Sequence, residues 1–374
     1  MKKNSSGSAN KPMRMFLYIV LGLTALCLAG AGISALSNRF LPQTPADTGQ
    51  ISELDKQRLA EAIHLRQALG DQVWPAFGQM DIPLILWNHD YSFLVGPAQL
   101  PQGWEVMTGD DFQGRPYFRQ KSDDPQNFAV RVGDVWAASM ATKSETDAFL
   151  MQVFRDLLPP LVEGIFPYRL LIQPSEVQIS AVAHESFHVF QQRRAPERLA
   201  AAEQAHQLGE RYWLTDPAME EDWRKEIDLM YQAVQAEADD EAARLARAFL
   251  DQRQSRRTRA ALSADLVDFE RQLEWEEGLA KYIELAIWRA GFASPDFQPI
   301  LSGDPDFKGY HKFPGRLKQE LSQMKRQAGQ AGEARFYYTG MAQALLLDRL
   351  NPGWQEKALQ EGVWVEDLLA EALQ

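Results

Sequence analysis

The sequence predicts an α+β protein with an N-terminal transmembrane helix, a small antiparallel β-rich part and then a mainly α-helical part. Three observations lead to this prediction. An uncharged apolar run follows a basic N-terminus, short runs broken by Gly, Pro, Asp and Asn fill residues 82–140, and helical patterns dominate beyond Lys143. The predicted divisions are a cytoplasmic tail (1–14), a transmembrane anchor (15–36), a linker (37–51), the β-rich part (52–142) and the helical part (143–374).

The bulk composition limits the classes of function. A chain of 374 residues with 45% hydrophobic and 24% charged residues is an ordinary globular protein with ample length for a buried core. A net charge of -12 without a basic stripe argues against nucleic acid as a partner. Because Cys27 is the only cysteine, a metal site within one chain must use histidine and carboxylate ligands.

The N-terminus predicts a single membrane crossing. Residues 15–36 carry no charge, and as a helix these 22 residues would be roughly 33 Å long, enough to cross the hydrocarbon core. The basic residues before them favour a cytoplasmic tail and an extracytoplasmic C-terminal part, either periplasmic or extracellular. A cleaved signal peptide is the alternative, since Ala35-Leu36-Ser37 resembles a processing site.

The elements of the remaining chain follow from their periodicity. Ser52 is predicted to cap a helix to residue 69, Ser144 a helix to residue 158, and Ser175 a further helix. Helices are also predicted over 264–290 and 341–350, and residues 195–258 are predicted to be a charged helical insertion that faces water. The predicted strands are 83–87, 91–95, 104–108, 117–119, 128–132, 135–137 and, separately, 168–172.

The third of these helices carries His184-Glu185-Ser186-Phe187-His188. Residues four apart lie on one face of a helix, so both imidazoles can bind one divalent cation. Glu185 is then close enough to take a proton from water bound to that cation. Small and apolar neighbours predict that this helix is buried, where such polar groups need a partner. The alternative is a pair of core histidines bonded to backbone carbonyls.

A carboxylate is the expected third ligand. Catalytic zinc generally takes three protein ligands, and no further histidine follows at a suitable spacing. The segment 275–284 contains Glu276, Glu277 and Glu284 in an otherwise apolar helix. A glutamate on a separate helix that crosses the first is suited to complete a His-His-Glu site.

His-Glu-x-x-His followed on a later helix by Glu-Gly-x-x-x-Tyr-x-Glu resembles the gluzincin metallopeptidases, in particular the membrane alanyl-aminopeptidase branch. The resemblance implies a gluzincin-like zinc domain with Glu277 as the third ligand, and Glu276 is the alternative one residue away. The resemblance also matches Glu284 to a glutamate of the family motif. We expect Glu284 to accept a hydrogen bond from a ligand histidine, and the alternative is a solvated surface carboxylate.

The same family uses the tyrosine of a Tyr-x-x-Gly segment to stabilise the oxyanion of the reaction. Tyr337-Tyr338-Thr339-Gly340 matches this spacing, which implies a catalytic Tyr337, with Tyr338 or a core role for these aromatic side chains as alternatives. Three features differ from the family. Thr339 stands where the family usually has a lysine before the glycine. The interval between His188 and Glu277 is 88 residues, and no Gly-x-Met-Glu-Asn segment precedes His184, so aminopeptidase specificity is not predicted.

The sequence therefore predicts a membrane-anchored zinc metallopeptidase that hydrolyses peptide bonds with a zinc-activated water. His184, His188 and Glu277 hold Zn²⁺, Glu185 is the general base and Tyr337 the oxyanion donor. The expected partners are a peptide or protein substrate, bound along a sheet edge at 168–172, and the membrane through the N-terminal helix. The alternatives are a catalytically inactive zinc-binding scaffold and a membrane-tethered interaction module that uses residues 195–258. Substrate identity, endo- or exopeptidase mode and oligomeric state stay open.

Overall fold

The computed structural model describes residues 26–41 and 47–374. Their helices are α1 (26–37), α2 (Glu53–Val73), α3 (Lys143–Leu157), α4 (Pro160–Glu163), α5 (Ser175–Arg194), α6 (Pro196–Ala205), α7 (Gly209–Gln235), α8 (Asp239–Arg259), α9 (Ala264–Leu273), α10 (Leu279–Ala293), α11 (Phe313–Gln327), α12 (Ala334–Leu350), α13 (Gln355–Ala358) and α14 (Val365–Ala372). The strands are β1 (Leu84–Trp87), β2 (Tyr91–Val95), β3 (Glu105–Val106), β4 (Phe118–Lys121), β5 (Phe128–Val132) and β6 (Val135–Ala141). A π-helical turn over Glu274–Gly278, here called the π segment, joins α9 to α10.

The chain divides into two units. One combines the described residues up to Asp47 with Lys143–Gln173, and so contains α1, α3 and α4. The other combines Thr48–Thr142 with Pro174–Gln374, and so contains the whole sheet and the remaining helices. Every residue of the candidate site described below belongs to this second unit.

The six strands form one mixed sheet in the order β3-β4-β2-β1-β6-β5. The interior strands β1 and β6 pair in parallel, whereas the other neighbours are antiparallel. The predicted antiparallel sheet is therefore wrong, although each of its six predicted strand segments overlaps an observed strand. Alternating side chains identify a strand but not its partner, and β6 meets β1 only after the chain has passed through four other strands.

The helix that carries the histidines lies at the centre of the second unit. α5 contacts β5 and β6 as well as α2 and α10. Phe187 of α5 packs edge-on against Trp74, with ring centroids 4.8 Å apart, and both side chains are fully buried. A smaller apolar cluster includes Ile85, Leu94 and Trp104 on and beside the sheet. α5 therefore packs against both the sheet and other helices of this unit.

The prediction of a transmembrane helix over 15–36 is not supported. Within the described residues, no helix combines the length and the apolar character needed to cross a membrane. Residues 15–25 of the predicted anchor and the predicted tail 1–14 lie outside those residues. The extracytoplasmic location depended on this helix and stays a prediction from the sequence.

Two local predictions are also wrong. Residues predicted as a strand at 168–172 form a 3₁₀ turn, Tyr168–Leu171, which follows Pro167. The helices of the predicted insertion exist as α6, α7 and α8, but α8 does not simply face water. Arg253, Arg256 and Arg257 are buried there, because carboxylates from other helices pair with each of them.

Candidate metal centre

His184 and His188 lie one turn apart on the same face of α5. The helix begins after Pro174, has Glu176 in its first turn and ends with two arginines, which suits the helix dipole. It is buried throughout residues 182–191. The two imidazole ring centroids are 5.0 Å apart, with the ring planes at 75°. Both rings therefore point to the same small region of the interior.

The π segment brings Glu277 to both histidines. Its Oε2 atom lies 3.3 Å from Nε2 of His184 and 3.5 Å from Nε2 of His188. The neighbouring Glu276 turns the other way, and its Oε2 lies 2.9 Å from Nε2 of His206. Of the two glutamates that the sequence left open, the structure places Glu277 at the histidines.

Glu185 belongs to the same group of side chains. His184, Glu185 and His188 each contribute a potential ligand atom, and these atoms lie within 4.8 Å of one another. All three side chains, together with Glu277 and Tyr337, line a cleft of about 410 Å³. Water-sized molecules can enter the cleft, although His184, Glu185, His188 and Glu277 are themselves buried.

The charges in the cleft favour a cation. Burial raises the pKa of Glu185. The two histidines lower this pKa, and the carboxylates of Glu277 and Glu284 raise it, so that it stays above its usual value. Burial alone would also raise the pKa of Glu277, but His188 and His184 outweigh it and hold that pKa well below its usual range. Burial would lower the pKa of His188, but Glu277 and Glu185 raise it to about 9. A proton, or a metal ion in its place, balances the acidic groups.

The hydrogen bonds of His188 fit a metal ligand. Nδ1 of His188 lies 3.0 Å from Oε1 of Gln191. Nε2 of His188 is buried and has no hydrogen-bond partner, since the Glu277 oxygen at 3.5 Å is too distant. A buried imidazole nitrogen with no partner, aimed at a carboxylate, is what a bound zinc ion would satisfy.

Tyr337 of α12 lies against the histidines. Its ring is stacked on that of His184, with centroids 6.1 Å apart and planes at 16°. Burial raises the pKa of Tyr337, and the charge of Glu277 and a hydrogen bond to it raise the pKa further. The phenol is therefore protonated and can donate a hydrogen bond into the cleft.

Tyr338 and Glu284 line the cleft but have other partners. The Nζ atom of Lys281 lies 5.8 Å from the ring centroid of Tyr338. Glu284 accepts hydrogen bonds at 2.9 Å from Lys281 and from Arg316. Its Oε2 atom is 3.9 Å from Nδ1 of His184, too far for a hydrogen bond. The hydrogen bond expected from a ligand histidine to Glu284 is therefore not made.

Two glycines bring the π segment and α12 into direct contact. A Cβ atom added to Gly278 would lie 2.6 Å from Cα of Gly340, and one added to Gly340 would lie 2.5 Å from the Glu274 carbonyl oxygen. Only glycine allows such an approach of two backbones. This contact places Glu277, next to Gly278, beside Tyr337, one helical turn before Gly340.

Buried polar and charged side chains from α8 and α12 hold the π segment through Glu274. Glu274 accepts hydrogen bonds from Arg253 at 2.5 and 2.8 Å, from the Thr339 hydroxyl at 2.5 Å and from Gln343 at 2.9 Å. His206 links Glu276 to Glu333 through its two ring nitrogens. The hydrogen bonds to these two carboxylates raise the pKa of His206 to about 10, so that it is a cation between them.

Several residues of the site were not identified from the sequence: Gln191, Arg253, His206, Glu274 and Phe128. Phe128, the first residue of β5, lies with its ring centroid 4.5 Å from that of His188. None of these residues belongs to a short motif. The one local signal was the position of Gln191, three residues after His188 and so on an adjacent face of the same helix.

Comparisons with known proteins add no relative to this description. No protein family model, no curated protein and no solved structure matches the chain.

Proposed function

We propose that this chain is a zinc-dependent metallopeptidase. His184, His188 and Glu277 would hold one zinc ion, and Glu185 would act as the general base. The observation that carries the proposal is the position of Glu277. Its Oε2 atom lies 3.3 and 3.5 Å from the Nε2 atoms of the two histidines, although Glu277 is far from them in sequence. Nε2 of His188 also has no hydrogen-bond partner there. Histidine and carboxylate ligands in this number are those of catalytic zinc.

A zinc ion held by these residues would supply a Lewis acid that polarises a substrate carbonyl group and lowers the pKa of a water molecule. Glu185 accepts the proton of the attacking water and delivers it to the leaving amine. The Tyr337 hydroxyl donates a hydrogen bond to the oxyanion that develops on the substrate.

An edge strand beside the cleft supports a peptide substrate. β5 is the last strand of the sheet and pairs only with β6 among the described strands. Its first residue, Phe128, and the preceding Asn127 both line the cleft. An extended peptide can add to such an edge by backbone hydrogen bonds. β5 therefore replaces residues 168–172 as the proposed edge for substrate binding, because those residues form a turn and not a strand.

Cleavage of an unfolded protein by the purified full chain tests the proposal. A zinc chelator should stop the cleavage, and added zinc should restore it. Glu185→Gln should retain zinc and reduce the cleavage rate by about 10²–10⁴-fold, because it removes the general base. Glu176→Gln is the matched control, since Glu176 is a buried glutamate of the same helix that bonds the Lys308 backbone outside the cleft.

Each result has one interpretation. Wild-type cleavage rates in Glu185→Gln would contradict the general-base role. Zinc binding by the unaltered chain without cleavage of any unfolded protein would favour the inactive zinc-binding scaffold. Cleavage that persists in the chelator would contradict the zinc mechanism.

A further inference from the structure

Gln191 connects a histidine of the candidate site to the π segment. It is a fully buried side chain on α5. Its Nε2 atom donates hydrogen bonds to the backbone oxygens of Trp275 at 2.9 Å and Glu276 at 3.2 Å. Its Oε1 atom lies 3.0 Å from Nδ1 of His188. One amide therefore contacts both helices that carry the proposed zinc ligands.

These neighbours fix the orientation of the amide. The two backbone oxygens of the π segment only accept hydrogen bonds, so the NH₂ group of Gln191 must face them. A rotated amide would place its oxygen against two carbonyl oxygens and leave its NH₂ group opposite His188. The amide oxygen of Gln191 therefore faces Nδ1 of His188.

The orientation of Gln191 in turn determines the proton on His188. An amide oxygen only accepts, so Nδ1 of His188 must carry the hydrogen that it donates. In the neutral imidazole, which is the form that binds a metal, Nε2 is then the nitrogen with a free lone pair. That atom is the one that has no hydrogen bond and lies 3.5 Å from Glu277 Oε2.

We infer that Gln191 is a positioning residue that presents His188 as an Nε2 ligand and holds the π segment, and with it Glu277, at the correct distance. The inference rests on the proposed zinc function. Outer partners of this kind orient the ring and increase the basicity of the ligand nitrogen. Gln191 is not among the residues that line the cleft, and of those residues it hydrogen-bonds only His188.

Zinc affinity of the full chain, measured by competition with a chromogenic chelator, tests this inference. Gln191→Met keeps the size of the side chain but neither accepts from Nδ1 nor donates to the π segment, and should weaken zinc binding by about 10–100-fold. Gln191→Glu restores an acceptor for Nδ1–H and should bind zinc more tightly than Gln191→Met. Gln178→Met is the control, because Gln178 lies on the same helix and its amide bonds only the Ala141 carbonyl.

The order of the variants separates the proposed role from a packing role. If Gln191 only holds the π segment, Gln191→Glu should bind zinc more weakly than Gln191→Met, because its carboxylate would face two carbonyl oxygens. Equal zinc affinity in Gln191→Met and the unaltered chain would overturn the inference while leaving the zinc site intact. No zinc binding by the unaltered chain would overturn the proposed function as well.

A second measurement does not depend on a variant that folds. In the zinc-loaded, ¹⁵N-histidine-labelled full chain, NMR should detect a His188 Nδ1–H proton that exchanges slowly with solvent. Detection of the proton on Nε2 instead would overturn the inference.

Discussion

Gly340→Ala should disturb the candidate site without touching a proposed ligand. A Cβ atom at this position would lie 2.5 Å from the Glu274 carbonyl oxygen and 2.7 Å from Cα of Gly278, whereas ordinary contacts begin at 3.4 Å. Both neighbours are backbone atoms, so α12 and the π segment must separate by about 1 Å to admit the methyl group.

The magnitude follows from two opposing effects. Overpacking of this kind costs up to about 3 kcal/mol, and the higher helix propensity of alanine returns about 1 kcal/mol. We therefore expect a net loss of about 2 kcal/mol in the free energy of unfolding. The same separation moves Tyr337 relative to Glu277, and a displacement of about 1 Å can reduce kcat/KM about 100-fold.

Denaturant unfolding and peptide cleavage, measured on the same samples, check both numbers. Gly315→Ala is the control, since Gly315 lies in α11 and an added Cβ would meet nothing within 4 Å. That control should be as stable as the unaltered chain or slightly more stable. Unchanged stability and unchanged kcat/KM in Gly340→Ala would refute the close contact between the two helices.

The remaining predictions concern the oxyanion donor, the pH dependence and the buried ions. Tyr337→Phe should lower kcat about 10²-fold or more, whereas Tyr338→Phe should not; the reverse result in steady-state kinetics would exchange their roles. The raised pKa of about 9 for His188 means that zinc must displace a proton below that pH. Zinc affinity should therefore rise about tenfold per pH unit from pH 7 to 9 and then level off, and a flat profile in chelator competition would contradict this. Arg256→Met leaves two buried carboxylates without this partner and should lower the free energy of unfolding, measured with denaturant, by about 3–5 kcal/mol. Arg244→Met, at an exposed ion pair, should change nothing measurable. Equal stability of both variants would show that the buried pair is dispensable.

The strands and helices were largely predictable because their patterns are local. The predicted helix from Ser52 begins where it was expected, and the Ser52 side chain accepts the Asp55 backbone N–H as a cap. The direction of pairing between β1 and β6 was not predictable, since strand order depends on contacts distant in sequence. The same limit explains α8, whose arginines are polar in sequence but buried by pairing.

The candidate site was predictable in part. His184, Glu185 and His188 form one short motif, so their spacing alone placed them on one helical face. A carboxylate from residues 275–284 was expected from the ligand count, whereas the choice of Glu277 and the position of Tyr337 were expected only from a family resemblance. The juxtaposition of these two residues depends on the contact between Gly278 and Gly340. Gln191, Glu274 and His206 act through backbone atoms or across long intervals, which no local pattern reports.

The zinc content of the purified full chain after dialysis tests the central claim most directly. We predict one zinc ion per chain for the unaltered protein and for Glu276→Ala, because the Glu276 carboxylate bonds His206 and not the two α5 histidines. We predict no retained zinc for Glu277→Ala, which removes the carboxylate nearest to His184 and His188. Full zinc retention in Glu277→Ala, or an unaltered chain that holds no zinc, would contradict the account.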